Sequence, residues 1–181
     1  MKILTTQLTG LLQRTAEREA LAVEETARLL AQASVGEGRI ILAPFGELET
    51  VALRALQGVE RLDNAVRYEE GMELSEVDRI FLLTDDPTNE DALRLARYLF
   101  DEFIPFAVMS NPTIEEAQTL GELAYTYVGI DVQRGILPSM TTGERIVQPT
   151  SIVALFLFEA ILMTYNELLA GDDEQPASPF V

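Results

Sequence analysis

The sequence predicts a three-layer, doubly wound α/β fold with a five-stranded parallel sheet in the order 2-1-3-4-5. Two continuous apolar runs, RIILA at 39–43 and IFLL at 80–83, are typical of strands that are covered on both faces. Strand-like and helix-like segments alternate along the chain, which favours parallel pairing through right-handed crossovers. A chain of 181 residues is also long enough to bury the core of one such domain.

Five segments have the composition of strands in this sheet. In chain order, the predicted strands are residues 39–43, 59–62, 78–84, 105–109 and 124–129. The segment 59–62 is predicted as a short edge strand, and residues 145–147 as a small extra strand outside the sheet. The strands at 39–43 and 78–84 are then neighbours in the middle of the sheet, because they are the first and third in the predicted order.

Helical periodicity or helix-start signals mark the segments between the strands. The predicted helices are residues 6–33, 47–56, 65–70, 88–103, 113–120 and 150–169. The first helix carries an Ala-rich stripe that allows close approach to a neighbour, and Thr113 and Glu116 match a capping box. The last helix is apolar on nearly all its faces, so it must be buried on more than one side. We therefore expect a homodimer built from the first and last helices.

Composition excludes several classes of protein. The chain has no Cys and no His, which excludes a disulfide framework, a thiol nucleophile and any His-dependent triad, and disfavours a zinc site. The formal net charge is −17, so the basic footprint of a nucleic-acid-binding protein is missing. We expect no cofactor, no resident metal and no nucleic-acid partner.

The last helix is long enough to raise the question of a membrane span. Glu159, Asn166 and Glu167, together with the lack of flanking basic residues, argue against one. Residues 1–20 also lack the charged head and apolar core of a signal peptide. We expect a cytoplasmic protein with a single domain at 1–170, followed by a disordered acidic tail at 171–181.

The candidate site follows from the predicted strand order. The carboxyl ends of the first and third strands open a crevice at the switch point of such a sheet, and the turns after them face each other there. The candidate ligand-binding residues are Gly46, Glu47, Thr84, Asp85, Asp86, Thr88 and Asn89, with Ser110 in the exit turn of the fourth strand. Two helix N-termini point into this crevice and favour anions, whereas its side chains are mostly acidic.

Asp85 and Asp86 leave three interpretations open. The first is turn formation, with Asp86 as the N-cap of the following helix and Pro87 in its first position. The second is a divalent-cation site shared with Glu47, since paired carboxylates suit hard ions. The third is contact with an amine or a hydroxyl group of a ligand.

The chain resembles the sugar isomerase (SIS) domain family, which includes the phosphoheptose isomerases. The resemblance covers nearly the whole chain. It is carried by GEGRIILAPFGELE after a long helix, by DRIFLLTDDPTNEDALRLARYL, by PFAVMSNPT and AYTYVG, and by a closing helix after IVQPTS. It implies an SIS-type sheet of flavodoxin-like order, a sugar-phosphate ligand and aldose–ketose isomerase activity.

The resemblance also implies where the family's site residues fall. Members carry a Ser-x-Ser-Gly-x-Thr turn that wraps the sugar phosphate, and TDDPT stands in that place. Thr84 and Thr88 can supply two hydroxyls, whereas Asp86 repels phosphate and Pro87 lacks an N–H group. Phosphoheptose isomerases use a Glu and a His as acid and base. The His has no counterpart here.

Three further points bear on function. Glu69 or Glu70 lies in the region of the family's catalytic Glu, and the sequence does not separate the two. Arg134 and Arg145, in the late loop, could supply cations to a phosphate. Two hypotheses follow: a phosphosugar-binding protein with isomerase activity of the phosphoheptose type, or a non-catalytic, dimeric interaction or regulatory module of the same fold.

Overall fold

The computed structural model describes residues 1–112 and 119–173. Its central sheet contains β1 (Ile40–Phe45), β2 (Ala65–Arg67), β3 (Arg79–Thr84), β4 (Phe106–Ser110) and β5 (Thr126–Gly129). All neighbouring strands pair in parallel, in the order β2-β1-β3-β4-β5, which confirms the predicted fold class. A separate antiparallel ribbon joins β6 (Leu137–Pro138) to β7 (Arg145–Ile146), so the small extra strand is confirmed as well.

Helices cover both faces of the sheet. They are α1 (Lys2–Val35), α2 (Glu49–Gln57), α3 (Glu90–Asp101), α4 (Thr119–Leu123) and α5 (Thr150–Asp173), and a 3₁₀ turn at Gly46–Leu48 leads into α2. One core lies between the sheet and α1, α2 and α5. The other lies between the sheet and α3 and α4. The continuous apolar runs of the central strands follow from this arrangement, because alternate residues enter opposite cores.

Residues of β1 and β3 show this alternation. Leu42 and Phe81 enter the core under α1, α2 and α5, whereas Ile41 and Leu82 enter the core under α3. All four side chains are fully buried. Burying a side chain of this size stabilises the fold by about 1.5–3 kcal/mol, so the two central strands anchor both layers.

The predictions for residues 59–70 were wrong. Residues 59–62 form no strand, and the segment predicted as the helix 65–70 begins with the edge strand β2. Leu62 is instead buried beneath α2, where its backbone N–H bonds to the carbonyl of Ala55. Three half-exposed residues, Ala-Val-Arg, are too few to show a strand period, and their pairing with β1 is a long-range contact.

Two further predicted segments, the helix at 113–120 and the tail at 171–181, are described by the structure only in part. Most of the predicted helix 113–120, with its capping box of Thr113 and Glu116, lies outside the described residues, and α4 begins at Thr119. Helix α5 continues through Asp173, so the start of the predicted tail is helical. Residues 174–181 lie outside the described part of the chain.

Helix α5 packs into the core as well as exposing apolar side chains. Its buried apolar and aromatic residues are Val153, Ala154, Leu157, Phe158, Ile161, Leu162 and Tyr165. The Tyr165 hydroxyl lies 2.6 Å from that of Ser34, which ties α5 to α1. In the described chain, α5 is the one helix long and apolar enough to span a membrane, a test that core helices of soluble proteins also pass. Ile152 and Met163 are exposed, and the homodimer stays a prediction.

Helix α1 closes the outer edge of β5. The backbone N–H of Gly129 donates to Glu19 Oε2 at 2.8 Å, and the carbonyl of Gly129 accepts from Arg18 at 2.9 Å. Arg18 also contacts Asp131 at 2.8 Å. An open strand edge would invite pairing with another chain, so these side chains cover the edge that the sheet itself leaves free.

Candidate functional site

The first and third strands meet at the predicted crevice. Phe45, the last residue of β1, is the register partner of Thr84, the last residue of β3. The two following turns are joined by a hydrogen bond from the backbone N–H of Glu47 to Asp85 Oδ1, at 3.0 Å. The sequence therefore predicted correctly that these turns converge.

Gly46 makes this close approach possible. Its φ is +68°, a conformation that glycine adopts without penalty, and a Cβ on it would overlap the carboxylate of Asp85. The carboxylate lies directly against the first turn of the segment that leads into α2, where free N–H groups would otherwise receive an anionic ligand. The chain thus supplies its own anion at this position.

The turn after β3 also satisfies its own polar groups. The Thr84 hydroxyl donates to the carbonyl of Asp86 at 2.8 Å and accepts from the N–H of Asp86 at 3.2 Å. Asp86 Oδ1 accepts from both the N–H and the hydroxyl of Thr88, at 2.8 and 2.7 Å. A sugar phosphate at this turn would have to displace these bonds in addition to meeting two carboxylates.

The helix cap is Asn89, not Asp86. Asn89 Oδ1 accepts from the N–H of Ala92 at 3.0 Å, and α3 begins at Glu90. Asp86 lies one turn earlier, and its side chain bonds to Thr88 two residues ahead. The prediction of Asp86 as cap with Pro87 in the first helical position was therefore wrong, because a short polar turn separates Pro87 from α3.

Ser110 ends β4 beside Thr84, its register partner. It is fully buried, and its Oγ has no hydrogen-bond partner among the residues that the structure describes. The neighbouring Asn111 is satisfied, because its side-chain amide exchanges hydrogen bonds with the backbone of Val132 at 3.0 and 2.7 Å. Asn111 thus fastens the exit of β4 to the loop after β5.

Glu69 and Glu70 follow β2 and are both exposed. Only Glu70 of the two lines a pocket of about 310 Å³ that opens beside the crevice. The pocket is lined by Phe45, Tyr68, Glu70, Asp91, Arg94, Leu95 and Tyr98. It therefore connects the end of β1, the segment after β2 and one face of α3.

Three of the seven described residues that line this pocket are aromatic. Phe45 and Tyr68 are half-buried and pack against the core, whereas Tyr98 is 47% exposed. Arg94 is paired with Asp91 at 2.5 Å. Sequence reasoning missed these residues, although Asp91, Arg94 and Tyr98 have the spacing of one helix face. No pattern in the sequence places Tyr68 opposite that face.

An ion pair fixes the segment that follows Tyr68 and Glu70. Asp78 is almost fully buried, and it accepts hydrogen bonds from Arg39 Nε and Nη2 at 3.1 and 2.8 Å. It also accepts from the backbone N–H of Ser75 at 2.9 Å. Burial alone would raise the pKa of Asp78, but the bonds from Arg39 and Ser75 outweigh it and lower the pKa to about 2.

The geometry disfavours the divalent-cation interpretation. Across residues 1–112 and 119–173, no group of three or more Asp or Glu side chains is arranged to hold a metal ion. Asp85 and Asp86 are each engaged with backbone N–H groups. A hard cation needs several oxygen ligands, and these two carboxylates already serve the turns.

The sheet order and the helices on both faces give the chain a doubly wound α/β fold. The chain belongs to the family described as "Domain of unknown function (DUF2529)", whose model matches residues 1–169. A relative is the protein YwjG of Bacillus subtilis (strain 168), which is 27% identical over 170 residues, covering 93% of this chain and 97% of the relative.

Two solved structures illustrate the shared fold. One is the NanR protein of Vibrio vulnificus complexed with ManNAc-6P, with a TM-score of 0.68 and 17% identity. The matched region covers 94% of this chain but only 63% of the NanR chain. The other is the sugar isomerase domain of the RpiR transcription factor of Sphaerobacter thermophilus, with a TM-score of 0.59 and 12% identity, covering 95% and 96% of the two chains. At this identity the likeness shows the fold alone.

Proposed function

We propose that this protein is a carbohydrate-derivative-binding protein of the SIS type that binds the sugar part of a phosphosugar in the pocket beside the crevice. The observation that carries the proposal is the pocket itself, which Phe45, Tyr68 and Tyr98 line together with the polar side chains of Glu70 and Arg94. Mostly apolar walls with a few convergent polar groups are typical of small-molecule sites.

The chemistry of the lining suits a sugar ring. Aromatic faces pack against the C–H surface of a ring, and the Tyr hydroxyls add a polar group at its edge. The carboxylates of Glu70 and Asp91 can accept hydrogen bonds from sugar hydroxyls, and Arg94 can donate to a ring or hydroxyl oxygen. The described lining holds two carboxylates and one guanidinium, so it is better matched to the hydroxyl-bearing part of a ligand than to its phosphate.

Isomerisation of the phosphoheptose type is not part of this proposal. The acid–base pair of those enzymes includes a His, and this chain has none. The turn after β3, where Asp85 is bonded to Glu47 and Asp86 to Thr88, also disfavours that chemistry, because it stands in the place of the family's phosphate-binding turn. A binding module of this kind would signal the presence of its ligand to its own dimer partner or to another protein.

The test is calorimetric titration of the full chain with heptose and hexosamine phosphates, each compared with the corresponding unphosphorylated sugar. We expect saturable heat and a rise in melting temperature with at least one sugar phosphate. Absence of heat and of any thermal shift at millimolar ligand would rule out the proposal. The same samples, assayed for aldose–ketose conversion, test the isomerase hypothesis directly.

A further inference from the structure

A second pocket collects arginines that have no carboxylate partner within residues 1–112 and 119–173. The chain carries 30 acidic and 13 basic residues, so ion pairing is available to nearly every cation. Six arginines do pair with Asp or Glu in the described part of the chain: Arg18, Arg28, Arg39, Arg54, Arg67 and Arg94. Three of the remaining six, Arg14, Arg134 and Arg145, line one pocket of about 420 Å³.

This arginine pocket lies between α1 and the loop that follows β5. Gln7 and Arg14 contribute from the N-terminal half of α1, and Arg134 from the loop. Asp131 also lines it, and its carboxylate is paired with Arg18 at 2.8 Å, so the described lining holds three guanidinium groups and one carboxylate. The pocket is therefore locally positive on a chain whose net charge is −17.

The side chain of Arg145 is fixed by two hydrogen bonds to backbone carbonyls of the protein itself. Its Nε donates to the carbonyl of Gly135 at 2.7 Å, and its Nη2 donates to the carbonyl of Ile136 at 3.0 Å. The Nη1 group is left without a hydrogen-bond partner among the described residues. Because the side chain is already ordered, little rotamer entropy is lost when Nη1 receives an acceptor.

The backbone around Arg145 is closely packed and adopts unusual φ angles. Gly135 lies so close to Ile146 that a Cβ would overlap its backbone, and the N–H of Ile136 donates to the carbonyl of Val147 at 2.9 Å. Asp131 and Val147 have φ values of +54° and +64°, and this conformation is unfavourable for a β-branched residue such as Val147. Strain of this kind persists only where the surrounding structure enforces it.

We propose that the arginine pocket is a binding site for a phosphate group, either free phosphate or the phosphate of a monoester. Guanidinium groups match phosphate oxygens in geometry and charge. The three guanidinium groups repel one another, the one carboxylate in the described lining is shared with Arg18, and an oxyanion relieves the remaining repulsion. The pocket shares no lining residue with the turns of the crevice, where Asp85 already fills the anion position. It also shares no described lining residue with the sugar pocket, so the inference is independent of the proposed function.

The test is calorimetric titration of the full chain with inorganic phosphate, glycerol 3-phosphate and glycerol, at an ionic strength held constant with NaCl. We expect saturable heat with phosphate and with the monoester, and none with glycerol. Tighter binding of the monoester assigns the pocket to a phosphorylated metabolite, and tighter binding of inorganic phosphate assigns it to the free ion. Absence of saturable heat with both overturns the proposal.

Matched variants locate the binding. The double change Arg14→Gln and Arg134→Gln removes two exposed guanidinium groups and is expected to weaken phosphate binding at least about tenfold. Arg97→Gln, an exposed arginine on α3 that also has no carboxylate partner in the described chain, is the control and should leave binding unchanged. Full binding by the double variant would overturn the assignment. A Tyr98→Ala variant should bind phosphate normally, which separates this site from the sugar pocket.

Discussion

The backbone nitrogen of Glu47 lies 3.0 Å from Asp85 Oδ1 and donates a hydrogen bond to it. This contact joins the turns after the two central strands and places a carboxylate where an anionic ligand would meet free N–H groups. An unpaired carboxylate at about 4 Å from a phosphate charge opposes binding by about 4 kcal/mol at an effective dielectric of 20. The turns of the crevice are therefore bonded to each other, and the sugar pocket and the arginine pocket are better candidates for ligand sites.

The first prediction concerns Gly46. A Gly46→Ala variant must adopt a φ of +68° and also displace the carboxylate of Asp85. We expect a loss of about 2–4 kcal/mol in the free energy of unfolding, measured by urea denaturation. Gly143→Ala is the control, because Gly143 has a φ of +73° with open space around it. That variant should lose only about 1–2 kcal/mol, and an equal loss in both variants would contradict a steric role for Asp85.

The second prediction is a pH dependence that comes from Asp78. Its pKa in the folded chain is about 2, below the ordinary value of 3.8, so the folded state favours the charged form. The resulting stabilisation is present above about pH 4 and is lost as the pH falls from about 4 to about 2. We expect it to amount to roughly 1–2 kcal/mol, because the guanidinium of Arg39 is 41% exposed and solvent weakens the pair.

An Asp78→Asn variant tests this prediction by urea denaturation between pH 2 and pH 7. The variant should be less stable than the wild-type protein near neutral pH, and the difference should shrink as the pH approaches 2. Asp91→Asn, in an exposed pair with Arg94, serves as the control and should not change the pH profile. A constant difference for Asp78→Asn across the whole range would show that its charge is not the cause.

The third prediction concerns the aromatic walls of the sugar pocket. Tyr98→Ala, and separately Tyr68→Ala, should weaken binding of the sugar phosphate about tenfold, since each change removes a ring that packs against the ligand. Tyr125→Ala is the matched control, because Tyr125 is 63% exposed and lies outside this pocket. Calorimetry measures the affinity of each of the three variants for the sugar phosphate. Equal affinities would show that the sugar binds outside this pocket.

The fourth prediction separates two adjacent carboxylates. Glu70 lines the pocket and Glu69 does not, so Glu70→Gln should reduce sugar-phosphate affinity while Glu69→Gln should not. We expect no aldose–ketose conversion by the wild-type protein. If conversion is observed and is lost in Glu70→Gln alone, then Glu70 acts as the base and the protein is an isomerase after all.

The fifth prediction is the homodimer. Helix α5 buries one face against α1 and α2, yet Ile152 and Met163 remain exposed, and Leu21 is exposed on α1. We expect a dimer in light scattering at micromolar concentration, and Ile152→Asp with Met163→Asp should shift it toward the monomer. A wild-type monomer under these conditions would contradict the prediction and leave the apolar surface of α5 without an explanation.

Much of the fold could be read from local patterns. The runs at 39–43 and 80–83 predicted strands buried on both faces, and the alternation of strands and helices predicted the sheet order that the structure shows. The edge strand was misplaced, because Ala65–Arg67 is recognised only by its pairing with Ile40–Leu42. A three-residue strand has almost no periodicity of its own.

For the site, the sequence determined which turns converge, because the carboxyl ends of neighbouring parallel strands lie together by geometry. The tertiary structure alone decided what those turns do: that Asp85 bonds to Glu47 instead of to a ligand, and that Glu70 rather than Glu69 faces a pocket. It also decided that Arg14, Arg134 and Arg145 line one pocket. These relationships join residues far apart in the chain, and side-chain contacts of that kind leave no local pattern of residue types from which they could be predicted.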